Sequence, residues 1–460
     1  MANTFDPRTY KSGSYTTRRL NQTGSGIYGS TRAADFLDDV IDGKDSLDVI
    51  VIGDSNTGFS TSGTAGWVYG LEYALRTAGA NAYGTGVFPT AYSVATNTVE
   101  GRVSDLNVDA YQNRSAGQSG GSAFVTLGSA SGITAITDMM NWGQGKFRPY
   151  GPDASTANGG VDWAYTASGT NQQNSLFIEL KSNSSLGVTS QFKYRIVYVT
   201  FNSGSGSFKL IAHQGTTGSI IAGNRISTNT GSVGYGVATL NVPADPARAG
   251  TYVRFCRAGG NYTSLDHGIY GPCGFLLESV YKNIKGFAVT SLGYYGGGWS
   301  GPIKDGLINC GDTLTTYLRE MRQRQIDAGG SGRVLVFWHS GANDGTGISD
   351  WHNNASAGMQ AIRNKWKQLN YPEHDLCFVA MVSHPKANPD DMATGRALSK
   401  NLTSQSPTND VTVLDFTEMN LGFQDLTGLG AYAPSGTTHL TNDGYKDVMS
   451  DFVFPAIRAR

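Results

Sequence analysis

Hydrophobic and polar positions follow one rule toward the two ends of the chain and another in the middle. Leu47 to Ile52 (LDVIVI) is a short apolar run rich in β-branched residues, which predicts a buried strand. After a Gly/Ser/Thr loop, AGWVYGLEYALRTAG places Trp67, Leu71, Leu75 and Ala78 at helical spacing, with Gly79 as its stop. From Gly286 onward the same alternation returns. The segments GFAVTSLG, RVLVFWHS, DLCFVAMVS and VTVLDF read as strands. DTLTTYLREMRQRQIDAGG, NASAGMQAIRNKWKQLN and MATGRALSKNL read as helices between them, and a last helix starts near Asn442. Strands alternating with helices imply a parallel sheet covered on both faces.

The middle reads differently. QFKYRIVYVT sets Phe192, Tyr194, Ile196 and Tyr198 on one face at period two. SLFIEL, SFKLIAH, GVATLNV, TYVRFCR and CGFLLESV are further short strands separated by Gly, Ser, Asn and Pro. Many short strands with turn signals imply an antiparallel β-sandwich, jelly-roll-like, inserted after the first strand of the α/β domain. The expected organisation is an N-terminal arm at 1–44, the first part of the α/β domain at 45–125, the inserted sandwich at 126–285, and the second part at 286–460. The arm rests on composition: the first thirty or so residues are polar, rich in Gly, Ser and Thr, and carry Arg8, Lys11, Arg18, Arg19 and Arg32, so an extended attachment segment or a loose tail fits equally well.

Composition narrows the function classes. The 460 residues are 39% hydrophobic and 15% charged with 61 glycines, which suits a compact β-rich protein and not a disordered chain. A net charge of −1 with no basic stripe argues against a nucleic-acid partner. No run reaches the ~18 apolar residues of a membrane span, and the first residues lack the apolar core of an export signal, so a soluble protein without a classical signal peptide is expected. Four cysteines, Cys256, Cys273, Cys310 and Cys377, include no C-x-x-C pair, which leaves zinc unsupported. Cys256 and Cys273 flank one strand connection, compatible with a disulfide or with two free thiols. His339, His352 and His384 follow no metal-binding spacing, so no metal or cofactor is expected.

Open α/β sheets place their sites beyond the carboxyl ends of the strands. Four segments there carry chemistry: GDSN after the first strand, GYYGGGWSG after the second, SGANDG after the third, and SGTTHLTNDGY before the last helix. A serine, a glycine loop, an asparagine and a histidine on one rim are what acyl transfer needs. The hydroxyl attacks a carbonyl carbon, the imidazole takes and returns the proton, and backbone and amide N–H groups hold the oxyanion.

These four segments, in this order, resemble the blocks of the SGNH hydrolases, the GDSL-type esterases. The resemblance covers roughly residues 45–85 and 286–460. It implies a three-layer flavodoxin-like α/β fold, Ser55 as nucleophile, His439 as general base, and an oxyanion hole made by Ser55, Gly296 (with Gly297 the near alternative) and Asn343. One position departs from the family: the acid three residues before the histidine is replaced by Gly436. A backbone carbonyl near Gly436, a carboxylate such as Asp415 or Glu418, or a weakened site would each account for that. The family's members imply a serine esterase acting on acylated carbohydrate, O-acetyl groups foremost. Trp299, Trp338 and Trp351 lie near the oxyanion segments, and Trp142, Phe147, Tyr150, Trp163 and Tyr165 in the insert offer ring faces for sugars or ordinary packing. The low charge and the arm also resemble viral and phage surface proteins that carry such domains. A virion-associated structural or glycan-binding protein on a weakened fold is therefore the second reading, with the arm as its attachment to a larger assembly.

Overall fold

The computed structural model describes residues 26–53, 56–57, 66–84, 86, 88–89, 110–116, 133–135, 163–165, 176–181, 191–200, 207–214, 220–231, 234–248, 252–257, 273–293, 307, 311–340, 348–382, 410–416, 419, 421 and 439–459. In chain order the strands begin with β1 (Ile27–Gly29), β2 (Leu47–Gly53), β3 (Phe88–Pro89), β4 (Ala110–Ala116), β5 (Ile133–Ala135) and β6 (Trp163–Tyr165). They continue with β7 (Leu176–Lys181), β8 (Phe192–Thr200), β9 (Ser207–Gln214), β10 (Ile220–Ser227), β11 (Gly234–Val242), β12 (Tyr252–Arg257) and β13 (Cys273–Tyr281). The last are β14 (Phe287–Gly293), β15 (Arg333–Ser340), β16 (Leu376–Val382) and β17 (Val411–Asp415). The helices are α1 (Arg32–Ile41), α2 (Gly66–Thr77), α3 (Gly311–Asp327), α4 (Ile348–Gln368), α5 (Asn442–Val448) and α6 (Phe454–Arg458).

The chain divides into two compact units, one of residues 1–81, 285–308 and 321–460, the other of 82–284 and 309–320.

The first unit is built on a six-stranded sheet in the order β1-β17-β16-β15-β2-β14. Every pairing among β14, β2, β15, β16 and β17 is parallel, and β1 closes one edge antiparallel to β17. Counted along the chain, the parallel strands follow the order 2-1-3-4-5 of the doubly wound flavodoxin arrangement. All residues of β2 and β16 are buried, as a strand covered on both faces requires.

Register assigns the two helical layers. Asp48, Ile50 and Ile52 of β2 stand opposite Val334, Val336 and Trp338 of β15 and share one face. On that face the Arg324 guanidinium of α3 bonds the Asp48 carboxylate, both fully buried, and Trp338 presses on Gly358 of α4. On the other face the Arg333 guanidinium lies 4.9 Å from the Phe36 ring of α1, and the His339 ring meets Trp67 of α2 at a tilt, 5.4 Å between centroids. The C-terminal helices pack against α2 and α1 on this second face. They form one run broken by a π turn at Met449–Val453, where Pro455 has no N–H for the bond to Asp451.

Residues 26–44 depart from the expected arm. β1 pairs with β17, and α1 buries Ala33, Ala34, Phe36, Leu37 and Val40. The apolar spacing of RAADFLDDVI carries that helix, although a polar tract precedes it.

The second unit holds the antiparallel strands. One sheet runs β10-β9-β12-β7-β4 and the other β11-β8-β13-β6-β5, with β3 also paired to β13. The strands expected at SLFIEL, QFKYRIVYVT, SFKLIAH, GVATLNV, TYVRFCR and CGFLLESV all form, at 176–181, 192–200, 207–214, 234–242, 252–257 and 273–281. Phe192, Tyr194 and Ile196 of β8 are buried as their alternation requires. The Tyr198 and Phe208 rings meet edge-on at 5.1 Å, bringing together residues of the two sheets. The helix expected at MATGRALSKNL lies outside the described residues.

Candidate active site

Three parallel strands end level with one another. Gly53 stands opposite Gly293 at the carboxyl ends of β2 and β14, and Ile52 stands opposite Trp338 two residues before β15 ends. The winding of the sheet reverses between β2 and β15, and this switch point is where open α/β sheets leave a crevice for a ligand. The segments that carry Ser55 and Asn343 leave from these two strands, and the segment that carries Gly296 leaves from β14 on the other side of β2.

Gly53 is required by close approach. A Cβ there would lie 2.6 Å from the Thr57 hydroxyl and 2.7 Å from the His339 carbonyl oxygen. The turn that follows is tied into α2: the Asn56 carbonyl accepts from Trp67 N–H at 2.7 Å and the Thr57 carbonyl from Val68 N–H at 2.8 Å. These bonds satisfy two of the N–H groups that a helix start leaves without partners. The residues just after Ser55 are thereby fixed to the N-terminus of α2, the positive end of its dipole.

The histidine segment reaches the same place. His439 is half-buried, three residues before the first residue of α5. Leu440 is buried, and the Thr441 hydroxyl caps the helix by accepting from Gly444 N–H at 2.9 Å. One turn on, the Tyr445 hydroxyl donates to Oδ1 of Asn56 at 2.6 Å in a buried setting. The Tyr445 ring meets Trp67 edge-on at 4.9 Å, and its carbonyl presses on Gly70 of α2. The residue after Ser55 is therefore hydrogen-bonded to the helix that His439 leads into.

Among the expected site residues, His439 is described, while Ser55, Gly296, its alternative Gly297 and Asn343 lie outside the described residues. Gly436 and Glu418 do too. Asp415 is buried at the end of β17, its N–H donating to the Gly26 carbonyl at 2.8 Å. His339 is buried beneath Gly53 and against Trp67, a packing position. Trp338 is 1% exposed against α4, which leaves it no ring face for a sugar. His384, Trp299, Trp142, Phe147 and Tyr150 lie outside the described residues, as do the side chains of His352, Trp351, Trp163 and Tyr165.

Cys377 is fully buried in β16, and burial pushes its thiol well above the usual range, so it is no nucleophile. Cys256 and Cys273 belong to strands of different sheets, and their side chains are outside the described residues. Among the described residues, no cluster of His, Cys, Asp or Glu fits a metal ion, and no helix is long and apolar enough to cross a membrane. Sequence reading assigned no role to Asn56, Trp67 or Tyr445, although GDSN and HLTNDGY contain two of them. The signal available was a polar residue, Asn or Tyr, at a fixed offset from each reactive one.

No protein-family model matches the chain, and no curated protein matches it. Among solved structures, it is similar to a peptidoglycan O-acetylesterase, at 12% identity and a TM-score of 0.51, over 94% of this chain and 99% of that one. A family two carbohydrate esterase from Cellvibrio japonicus aligns at 10% identity and a TM-score of 0.24, over 64% of this chain and 91% of that one. The first likeness is one of fold; the second is too low in score to add to it.

Proposed function

We propose that the chain is a serine esterase that removes ester-linked acyl groups, O-acetyl foremost, from a carbohydrate polymer. Ser55 attacks the ester carbonyl carbon and His439 takes the hydroxyl proton. The N–H groups of Ser55 and Gly296 and the Asn343 amide stabilise the oxyanion. Collapse of the tetrahedral intermediate expels the sugar oxygen, which receives the proton from His439. Water then hydrolyses the acyl-serine by the same route.

The observation that carries this reading is the buried Tyr445–Asn56 hydrogen bond, three residues past the end of β2. It joins the serine segment to the histidine segment across 389 residues of sequence. Chain geometry supports the rest, since one residue spans at most ~3.6 Å. Ser55 is two residues past Gly53, Gly296 three past Gly293 and Asn343 three past Ser340, so all three start from one sheet edge. The fold shared with a peptidoglycan O-acetylesterase favours an O-acetylated glycan as substrate. With Gly436 where the family has its acid, a backbone carbonyl orients the imidazole and the enzyme works as a Ser–His dyad. The antiparallel strands between β2 and β14 form the inserted sandwich of this reading and hold the polymer.

Hydrolysis of p-nitrophenyl acetate by the wild type, and its loss in both Ser55→Ala and His439→Ala, is the expected result. Asn343→Ala should lower turnover on the order of 10²–10³-fold. Equal rates in the wild type and the first two variants would remove the enzyme reading and leave a glycan-binding protein.

A further inference from the structure

The buried group Asn56, Tyr445 and Trp67 goes beyond holding two helices together. We infer that Tyr445 is a positioning residue for catalysis, whose hydroxyl sets the serine segment in register with the histidine segment through Asn56. This rests on the esterase reading above.

Asn56 is held through both its backbone and its side chain. Its carbonyl accepts from Trp67 N–H at 2.7 Å, and its side-chain oxygen accepts from the Tyr445 hydroxyl at 2.6 Å. It is 5% exposed, so the Tyr445 donor, once removed, is not readily replaced by bulk water. Tyr445 is fixed in turn by its environment. It is 0% exposed, its ring meets Trp67, and Trp67 is itself wedged against His339 at 5.4 Å and Phe416 at 5.9 Å. Its carbonyl lies so close to Gly70 that a Cβ there would come within 2.9 Å of the carbonyl carbon as well. Ring packing and the Gly70 contact set where α5 lies on α2, and the hydroxyl reaches the serine turn directly, at Asn56.

The hydrogen bond is therefore a direct link between α5, with His439 three residues before it, and the peptide that follows Ser55. Acyl transfer depends steeply on that relation: a displacement of about 1 Å costs on the order of 10²-fold in rate. A bond that served the helix pair alone would affect folding and leave turnover untouched.

The test compares the wild type with Tyr445→Phe, Asn56→Ala and the double variant in full-length protein. Hydrolysis of p-nitrophenyl acetate and thermal melting are both measured. Tyr445→Phe keeps the ring on Trp67, and Asn56→Ala keeps the backbone bond to Trp67, so both should fold. Each is expected to lower kcat about 10- to 100-fold at unchanged KM. The double variant should be no slower than the slower single variant, because both remove the same bond. Wild-type kcat in Tyr445→Phe alongside a lowered melting temperature would overturn the inference, as would losses that multiply in the double variant. A wild type without Ser55-dependent turnover removes the esterase reading and this one together. An active wild type with an equally active Tyr445→Phe removes only this one.

Discussion

Replacing Gly53 by alanine should damage the enzyme at two levels with a single methyl group. The added carbon would stand 2.7 Å from the His339 carbonyl oxygen, 2.6 Å from the Thr57 hydroxyl and 3.1 Å from the His339 Cβ. Ordinary contact begins at 3.4 Å, so the carbonyl contact alone demands about 0.7 Å of movement. His339 lies within β15 and is paired to Met381 of β16, whereas Gly53 is the last residue of β2. The movement falls on the end of β2 and on the turn that leads through Ser55. Overpacking of this kind costs about 1–3 kcal/mol. A displacement approaching 1 Å at the nucleophile lowers turnover by on the order of 10-fold or more. Urea unfolding reads the first effect and the kcat for p-nitrophenyl acetate the second. Gly43→Ala is the matched control. Gly43 has a positive φ of 67° and, among the described residues, no atom within 4 Å of where its Cβ would stand, so alanine there meets backbone strain of about 1 kcal/mol and no clash. Its kcat should equal that of the wild type. A Gly53→Ala protein with wild-type stability and wild-type kcat would refute the steric reasoning.

Three further outcomes follow from the described residues. Asp48→Ala leaves the fully buried Arg324 guanidinium without its carboxylate and should cost about 3–5 kcal/mol in urea unfolding, whereas Asp48→Leu with Arg324→Met should recover most of it; a loss below about 1 kcal/mol would contradict this. Burial, followed by the neighbouring Asp451 and Asp443, raises the Asp447 carboxyl above its ordinary value. The folded chain then binds that proton more tightly than the unfolded one, so its contribution is present at acid pH and lost as pH rises through the folded pKa. Asp447→Asn should accordingly raise Tm at pH 7 and give no gain at pH 3, and the reverse order would overturn the assignment. The native thiol of Cys377 should resist iodoacetamide until the protein is unfolded; rapid native alkylation would contradict its burial.

The sheet was legible because its strands are continuous apolar runs. β2 and β16 need no partner information to be read, since seven buried residues in a row have few other fates. β1 was not legible: three residues held by backbone pairing to β17 carry no periodicity. α1 has a clear apolar face, but its neighbours are Gly, Ser and Thr, and composition outweighed spacing. β10 was missed in the insert because Gly223, Asn224 and Arg225 break the alternation of IIAGNRIS. At the site, Ser55, Gly296, Asn343 and His439 stand out by motif, each within a few residues of its strand or helix. The contact between Asn56 and Tyr445 was out of reach: it spans 389 residues, and a tyrosine hydroxyl has no local pattern that names its acceptor. Local spacing reveals elements, while long-range side-chain bonds need the topology that brings those elements together.

Mass spectrometry after exposure to a fluorophosphonate tests the central claim most directly. The reagent bonds only to a serine whose proton is removed by a nearby base and whose oxyanion is held. Stoichiometric labelling of the peptide that contains Ser55, abolished in His439→Ala, is the expected result. An unlabelled Ser55 in folded wild-type protein, or labelling that persists at full rate without His439, would contradict it.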